Sequence, residues 1–315
     1  MTPRISPWFS ALVLAALLMT SACGSNGGTS EPAAAPSTTQ DQGFPVTVDA
    51  ANGKVELTAR PKRIVSLSPT ATEMLFAIGA GDQVVAVDDQ SNYPADAPVT
   101  DLSGFEPNVE AIAGYDPDLV IASNETGQLQ KSFDALDIPF LLQPAAAELD
   151  DSIAQIEQLG VLTGHPQEAE AVTATMSAEV DEVIASIPEL DESLTYFYEL
   201  DETYFTVTSE TFIGEVFGSV GLENIADAAD KAGSGYPQLS AEYILEADPD
   251  LIFLADTKCC DQSPSTVAKR PGWSRLSAVQ NDAVVGLDDD IASRWGPRVV
   301  ELLRTVAAAV ADLVR

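Results

Sequence analysis

The chain has 315 residues, 45% of them apolar, with 15 Lys and Arg against 49 Asp and Glu and a formal net charge of −34 at pH 7. That length builds a large core and two lobes of ordinary domain size, and that acidity disfavours nucleic acid and anionic lipid as partners. One histidine, His165, excludes a zinc or manganese site built on several imidazoles and argues against a Ser-His-Asp or Cys-His nucleophile.

Residues 1–22 read as a secretory signal: Arg4, a short apolar run from Ser10 to Met19, then small residues. Cys23 after Ser21-Ala22 resembles a bacterial lipobox, in which the cysteine is lipidated; Thr20 stands where leucine is usual. Residues 23–45, rich in Gly, Ser, Thr, Pro and Ala, form a flexible tether that places the body outside the cytoplasm with the lipid as its only membrane attachment. No second apolar run reaches about 18 residues.

From 46 to 165 apolar strands alternate with helices. Strands are predicted at 63–67, 84–87, 119–122 and 139–142. Helices are predicted through Met74, Leu75 and Ile78 to a stop at Gly79, and through Leu129, Phe133 and Leu136. Residues 166–188 are free of glycine and internal proline, with Ala171, Val172, Met176, Val180, Val183, Ile184 and Ile187 in helical period. That is one helix of roughly 33 Å, enough to span two lobes and restrict their closure. From 189 to 315 the plan repeats, with strands at 195–198, 251–254 and 283–287, helices near Phe212 and Ser240, and a last helix from about 297 to 314. The fold expected is α/β: two Rossmann-like lobes, each a mostly parallel sheet flanked by helices, joined by one long spanning helix.

NVEAIAGYDPDLVIAS (108–123) returns 240 − 108 = 132 positions later as SAEYILEADPDLIFLA (240–255). In each copy Asn108 or Ser240 caps a helix with a glutamate, Glu110 or Glu242, in its first turn. Asp-Pro then ends the helix and a buried strand follows. The two glutamates are therefore expected at similar, exposed, rigid places on the two lobes. Ligands of open parallel sheets collect beyond the carboxyl ends of the strands, which makes Ser68, Thr70, Tyr93, Phe105, Tyr204, Phe205, Tyr236 and Trp295 candidate cleft residues. Arg294 and Arg298, entering the last helix, either meet a ligand carboxylate or phosphate or pair with Asp288-Asp289-Asp290. Cys259 and Cys260 shape a loop, as a vicinal disulfide or as two thiols.

PKRIVSLSPTATEMLFAIGAGDQVVAVDD, SNYP and the two duplicated stretches together resemble the iron-chelate and cobalamin family of substrate-binding proteins of ABC importers, over nearly everything from Pro61 onward. The likeness is nearest to its vitamin B12-binding branch. The resemblance implies a monomeric, non-catalytic protein without a resident cofactor or metal. It implies a metal-chelate ligand, cobalamin or a ferric siderophore, and an ABC permease dimer with its ATPase as partner. It also implies that Glu110 and Glu242 dock onto permease arginines, and that Tyr93, Phe105, Phe205 and Tyr236 match aromatic ligand contacts. Ser123 departs from a tryptophan of that branch. Few basic residues argue against an anionic catecholate chelate. The alternatives are a hydroxamate or haem binder or sensor of the same fold, with a tyrosine on haem iron, and a secreted hydrolase using acids such as Glu125, Asp201 or Glu202.

Overall fold

A computed structural model describes residues 43–188 and 192–314; the signal segment 1–22, Cys23 and residues 24–42 of the tether lie outside the described residues. An antiparallel hairpin, β1 (Val46–Ala50) and β2 (Gly53–Leu57), opens the described body. This hairpin is not among the elements predicted above. Next come β3 (Ile64–Leu67), α1 (Pro69–Ala77), β4 (Val84–Val87), α2 (Val109–Ala113), β5 (Leu119–Ala122), α3 (Leu129–Asp134) and β6 (Phe140–Leu142). Two longer helices follow, α4 (Leu149–Thr163) and α5 (Pro166–Ala185). The second half holds β7 (Leu194–Glu199), α6 (Phe212–Gly218), β8 (Leu222–Asn224), α7 (Ala241–Ala247) and β9 (Leu251–Leu254). It closes with α8 (Pro264–Val267), α9 (Ser277–Gln280), β10 (Val284–Gly286), α10 (Asp289–Ala292) and α11 (Val299–Leu313).

The sheets share one topology. Their orders are β4-β3-β5-β6 and β8-β7-β9-β10, and every neighbouring pair is parallel. In each, the chain moves to one side of its first strand and then to the other, which leaves a crevice between β3 and β5 and another between β7 and β9. Side chains alternate across each strand. Ile64, Leu119 and Ile121 of the first sheet and Tyr196, Tyr198, Leu251 and Phe253 of the second belong to one continuous core, completed by α4, α5 and α11. The opposite faces close smaller clusters: Val65, Leu67 and Val120 against Ile112 of α2, and Phe197, Ile252 and Leu254 against Ile244 of α7. α5 packs against α4 and α11 and buries Ala169, Thr173, Met176, Val180 and Val183. No described helix is long and apolar enough to cross a membrane.

Two expectations change. The helix through Leu136 stops at Asp134, because the Ile138 N–H turns back to Phe133 O and Asp137 takes a left-handed φ of 55°; Leu136 is left exposed. α4 had been missed. Its signal was present: Asp151 accepts the Ala147 N–H at 2.9 Å as a cap, and Ile156, Leu159 and Leu162 keep a helical period.

Candidate functional site

The crevice between β3 and β5 opens into a cavity of about 340 Å³. Its floor comes from residues just past the strands: Ser68 and Thr70 after β3, Asp88 after β4, Ser123 and Asn124 after β5. Asp290 of α10 and Ser293, Arg294 and Trp295 on the α10–α11 turn supply the opposite wall. Gly104 is required there, since a Cβ would fall 2.7 Å from Leu67 O and 2.8 Å from Asp88 Oδ2.

Of the predicted contacts, Ser68, Thr70, Phe105, Arg294 and Trp295 converge on this cavity. The Ser68 hydroxyl is engaged as the α1 cap, accepting from Ala71 N at 3.3 Å. Phe105 is 73% exposed at the rim. Trp295 is held by α4: its Nε1 donates to Gln155 Oε1 at 2.8 Å, and Ser152 Oγ donates to its carbonyl. Tyr93 lines a neighbouring pocket with Phe76, Pro94 and Pro297, its ring 4.1 Å from the Arg298 guanidinium carbon. Phe205 and Tyr236 do not line the cavity. They lie on a short antiparallel ribbon of the second lobe, built by Thr206 N to Pro237 O and Thr208 N to Gly235 O, and both are exposed. Tyr204 leaves the site altogether, stacked on Trp273 at 5.5 Å under Arg270.

Of the two settings expected for Arg294, the structure shows pairing with the Asp288–Asp290 run, Nη2 to Asp290 Oδ1 at 2.9 Å. The residue is 8% exposed and its other bonds also stay within the wall: Nη1 to Glu73 Oε1 at 2.7 Å, and Nη2 to Gln90 O and Asn92 Oδ1 at 3.0 Å. Arg298 completes the cluster with Nε to Glu73 Oε2 at 2.8 Å and Nη2 to Oε1; its guanidinium pKa is raised above the ordinary value, first by the Glu73 bond. Sequence reasoning passed over Glu73, although one acid inside the otherwise apolar TEMLFAI run of a buried helix calls for a cationic partner. Asp88 was also missed. Burial raises its carboxyl pKa, opposed by the bond that Ser91 Oγ donates at 2.5 Å.

Glu110 and Glu242 are exposed in the first turns of α2 and α7, capped as predicted: Asn108 Oδ1 accepts from Ala111 N at 3.0 Å and Ser240 Oγ from Tyr243 N at 3.2 Å. Neither carboxylate engages another described side chain. Cys259 and Cys260 are joined as a vicinal disulfide. Asp289 holds their loop, accepting the N–H groups of Thr257, Lys258 and Cys259 at 2.9, 2.8 and 3.0 Å. His165 is half-buried; Gln83 Nε2 lies 3.0 Å from its Nε2 and Arg60 bonds the same atom, and burial lowers its pKa. Asp201 caps Thr203 and Glu125 accepts the Gln130 N–H, so each serves its own loop and neither lines the cavity. Among the described residues no group of three or more His, Cys, Asp or Glu is disposed to hold a metal ion.

The sequence matches the periplasmic binding protein model over residues 64–291. The chain belongs to the periplasmic binding protein family. This family member is 30% identical, over 98% of both chains, to the uncharacterized ABC transporter substrate-binding lipoprotein YvrC of Bacillus subtilis. It is 31% identical, over 96% of this chain and 84% of the other, to a cobalamin-binding protein of Halobacterium salinarum. The periplasmic vitamin B12 binding protein BtuF of Vibrio cholerae has a similar structure: TM-score 0.65 and 28% identity, over 81% of this chain and 98% of that one. Two parallel sheets flanked by helices are thus the periplasmic binding protein fold.

Proposed function

We propose that the protein is an extracytoplasmic, non-catalytic solute-binding lipoprotein, anchored through lipid on Cys23, that captures a corrinoid and delivers it to the permease dimer of an ABC importer. The observation that carries this reading is the charge of the cavity. Arg294 is neutralised within the wall, and the remaining charged lining groups are the carboxylates of Asp88 and Asp290. A highly anionic chelate would meet no free cation there. A corrinoid, edged with amides, would meet hydroxyls, amides, an indole and a phenyl ring. A corrinoid is larger than the cavity, so part of it would lie outside; the exposed aromatic side chains Phe105 at the rim and Phe205 and Tyr236 of the second lobe are the proposed contacts for that part. The ligands named for the Halobacterium and Vibrio relatives favour the corrinoid over a ferric hydroxamate. Glu110 and Glu242, matched in placement and engaging no other side chain among the described residues, are the proposed contacts to two permease subunits.

The test is a titration of residues 44–315 with cyanocobalamin, a ferric hydroxamate and haem, read by tryptophan fluorescence and calorimetry. Saturable submicromolar quenching by cyanocobalamin, lost in Trp295→Phe where the signal arises, is expected. Tight binding of the hydroxamate or haem alone would reject the corrinoid.

A further inference from the structure

The crevice of the second sheet, between β7 and β9, is filled by the chain's own charges. Glu199 ends β7 and Asp256 follows β9, and both are 0% exposed. Arg270 grips Glu199 with both ends of its fork, Nη1 to Oε2 at 2.5 Å and Nη2 to Oε1 at 2.6 Å. The count is two buried carboxyls against one guanidinium. Asp256 lies within hydrogen-bonding reach of Glu199, yet neither of its oxygens receives a donor among the described residues. An ionised Asp256 would be a buried charge with no donor, a state that proteins avoid by taking up a proton.

We propose that Glu199 and Asp256 form a proton-binding site that holds one proton between them at and below neutral pH, with protonated Asp256 donating to Glu199. The proton makes the triad neutral. The other groups that bear on it are Tyr198 of β7, whose hydroxyl donates to Ala292 O, and Tyr204, stacked beneath Arg270. Burial first, then the Glu199 charge and the bond to it, push the Asp256 carboxyl up to about 7. The site is wired to two loops. Arg270 Nη2 also donates to Gln262 Oε1 at 2.8 Å, and Gln262 reaches Cys260 O and Asp256 O, closing the disulfide loop. Tyr204 carries the Phe205 ribbon. Loss of the proton to solvent leaves Arg270 divided between two anions and loosens both loops.

The folded pKa lies above the ordinary carboxyl value, so the stabilisation is full in acid and declines as pH rises from about 4 through about 7. Asp256→Asn keeps a donor to Glu199 and cannot titrate. Asp88, Glu215 and His165 are common to both proteins, so the difference between wild type and variant isolates the site. Urea unfolding at about pH 5.5 and pH 8 is expected to show the wild-type unfolding constant rising on the order of tenfold more than that of D256N. Equal pH dependence in the two would overturn the proposal. Should D256N fail to fold, the infrared difference spectrum of the wild type decides. A protonated carboxylic-acid carbonyl present at pH 6 and lost by pH 9 is expected, and its absence would overturn the site. Stabilisation at pH 8 by sodium or potassium but not by choline would replace the proton with a metal cation and overturn it too.

Discussion

Asp118 and Asp250 hold the same post in the two sheets. Asp118 accepts the N–H groups of Lys62 and Arg63, at 2.8 and 2.9 Å, just ahead of β3. Asp250 accepts Thr195 N and Thr195 Oγ1, both at 2.8 Å, near the start of β7. Each closes the duplicated Asp-Pro-Asp turn, in which the first aspartate, Asp116 or Asp248, takes a left-handed φ of 51° or 47°. The carboxylates fix where each strand begins against its neighbour, so α2 and α7, and with them Glu110 and Glu242, are mounted alike.

Removing either carboxylate frees two donors at a strand start. Asp118→Ala and Asp250→Ala should each cost about 1–3 kcal/mol. The double variant should lose nearly the sum, since the sites share no partner. Urea denaturation checks both, and a sum far from additive would mean that the two sheets are coupled through these turns.

Glu110→Arg and Glu242→Arg break no side-chain hydrogen bond or ion pair among the described residues. Stability should stay within about 0.5 kcal/mol of wild type and ligand affinity within about twofold, while uptake through the importer is lost. Retained uptake in the double variant would reject the docking role.

Glu73→Gln leaves the buried Arg294 and the partly buried Arg298 guanidinium groups short of their shared anion. A loss of about 3–5 kcal/mol is expected, read as a lower urea midpoint at unchanged slope. Ligand affinity should fall as well, because Glu73 sets both the Arg294 wall and the Arg298 support of the Tyr93 ring.

Lys258 bridges Asp288 and Asp290 at 2.7 Å each, and its bonds oppose burial to hold both carboxyls below the usual range. Folded values below unfolded ones mean that this stability is present above about pH 4 and lost as pH falls through the depressed values. Thermal unfolding between pH 5 and pH 2.5 should show a smaller acid-induced drop for Lys258→Met than for wild type. Equal drops would mean that the pairs are screened by solvent.

Gly104→Val should abolish binding while the purified protein keeps its far-ultraviolet circular dichroism, because its Cβ would strike Leu67 O and Asp88 Oδ2 at the cavity floor. Undiminished affinity would move the ligand elsewhere in the cleft.

Much of this was legible in residue order. Apolar tetrads such as Leu119–Ala122 and Leu251–Leu254 announce buried parallel strands, and the repeated NVE and SAE starts announce two equivalent helix tips. Local chemistry suffices there, because a cap, an Asp-Pro stop and a short apolar run act on their near neighbours. The cleft was legible only in part, as strand-end residues. What the tertiary structure decided are the pairings over long separations. Glu73 meets Arg294 and Arg298, more than 200 positions away, and turns one candidate ligand cation into cavity wall and the other into support for Tyr93. Tyr204 becomes core because Trp273 and Arg270 close over it, while Phe205 beside it stays exposed. Glu199 and Asp256 fill one switch-point crevice and the other stays open, a difference that depends on which side chains two identical topologies bring face to face.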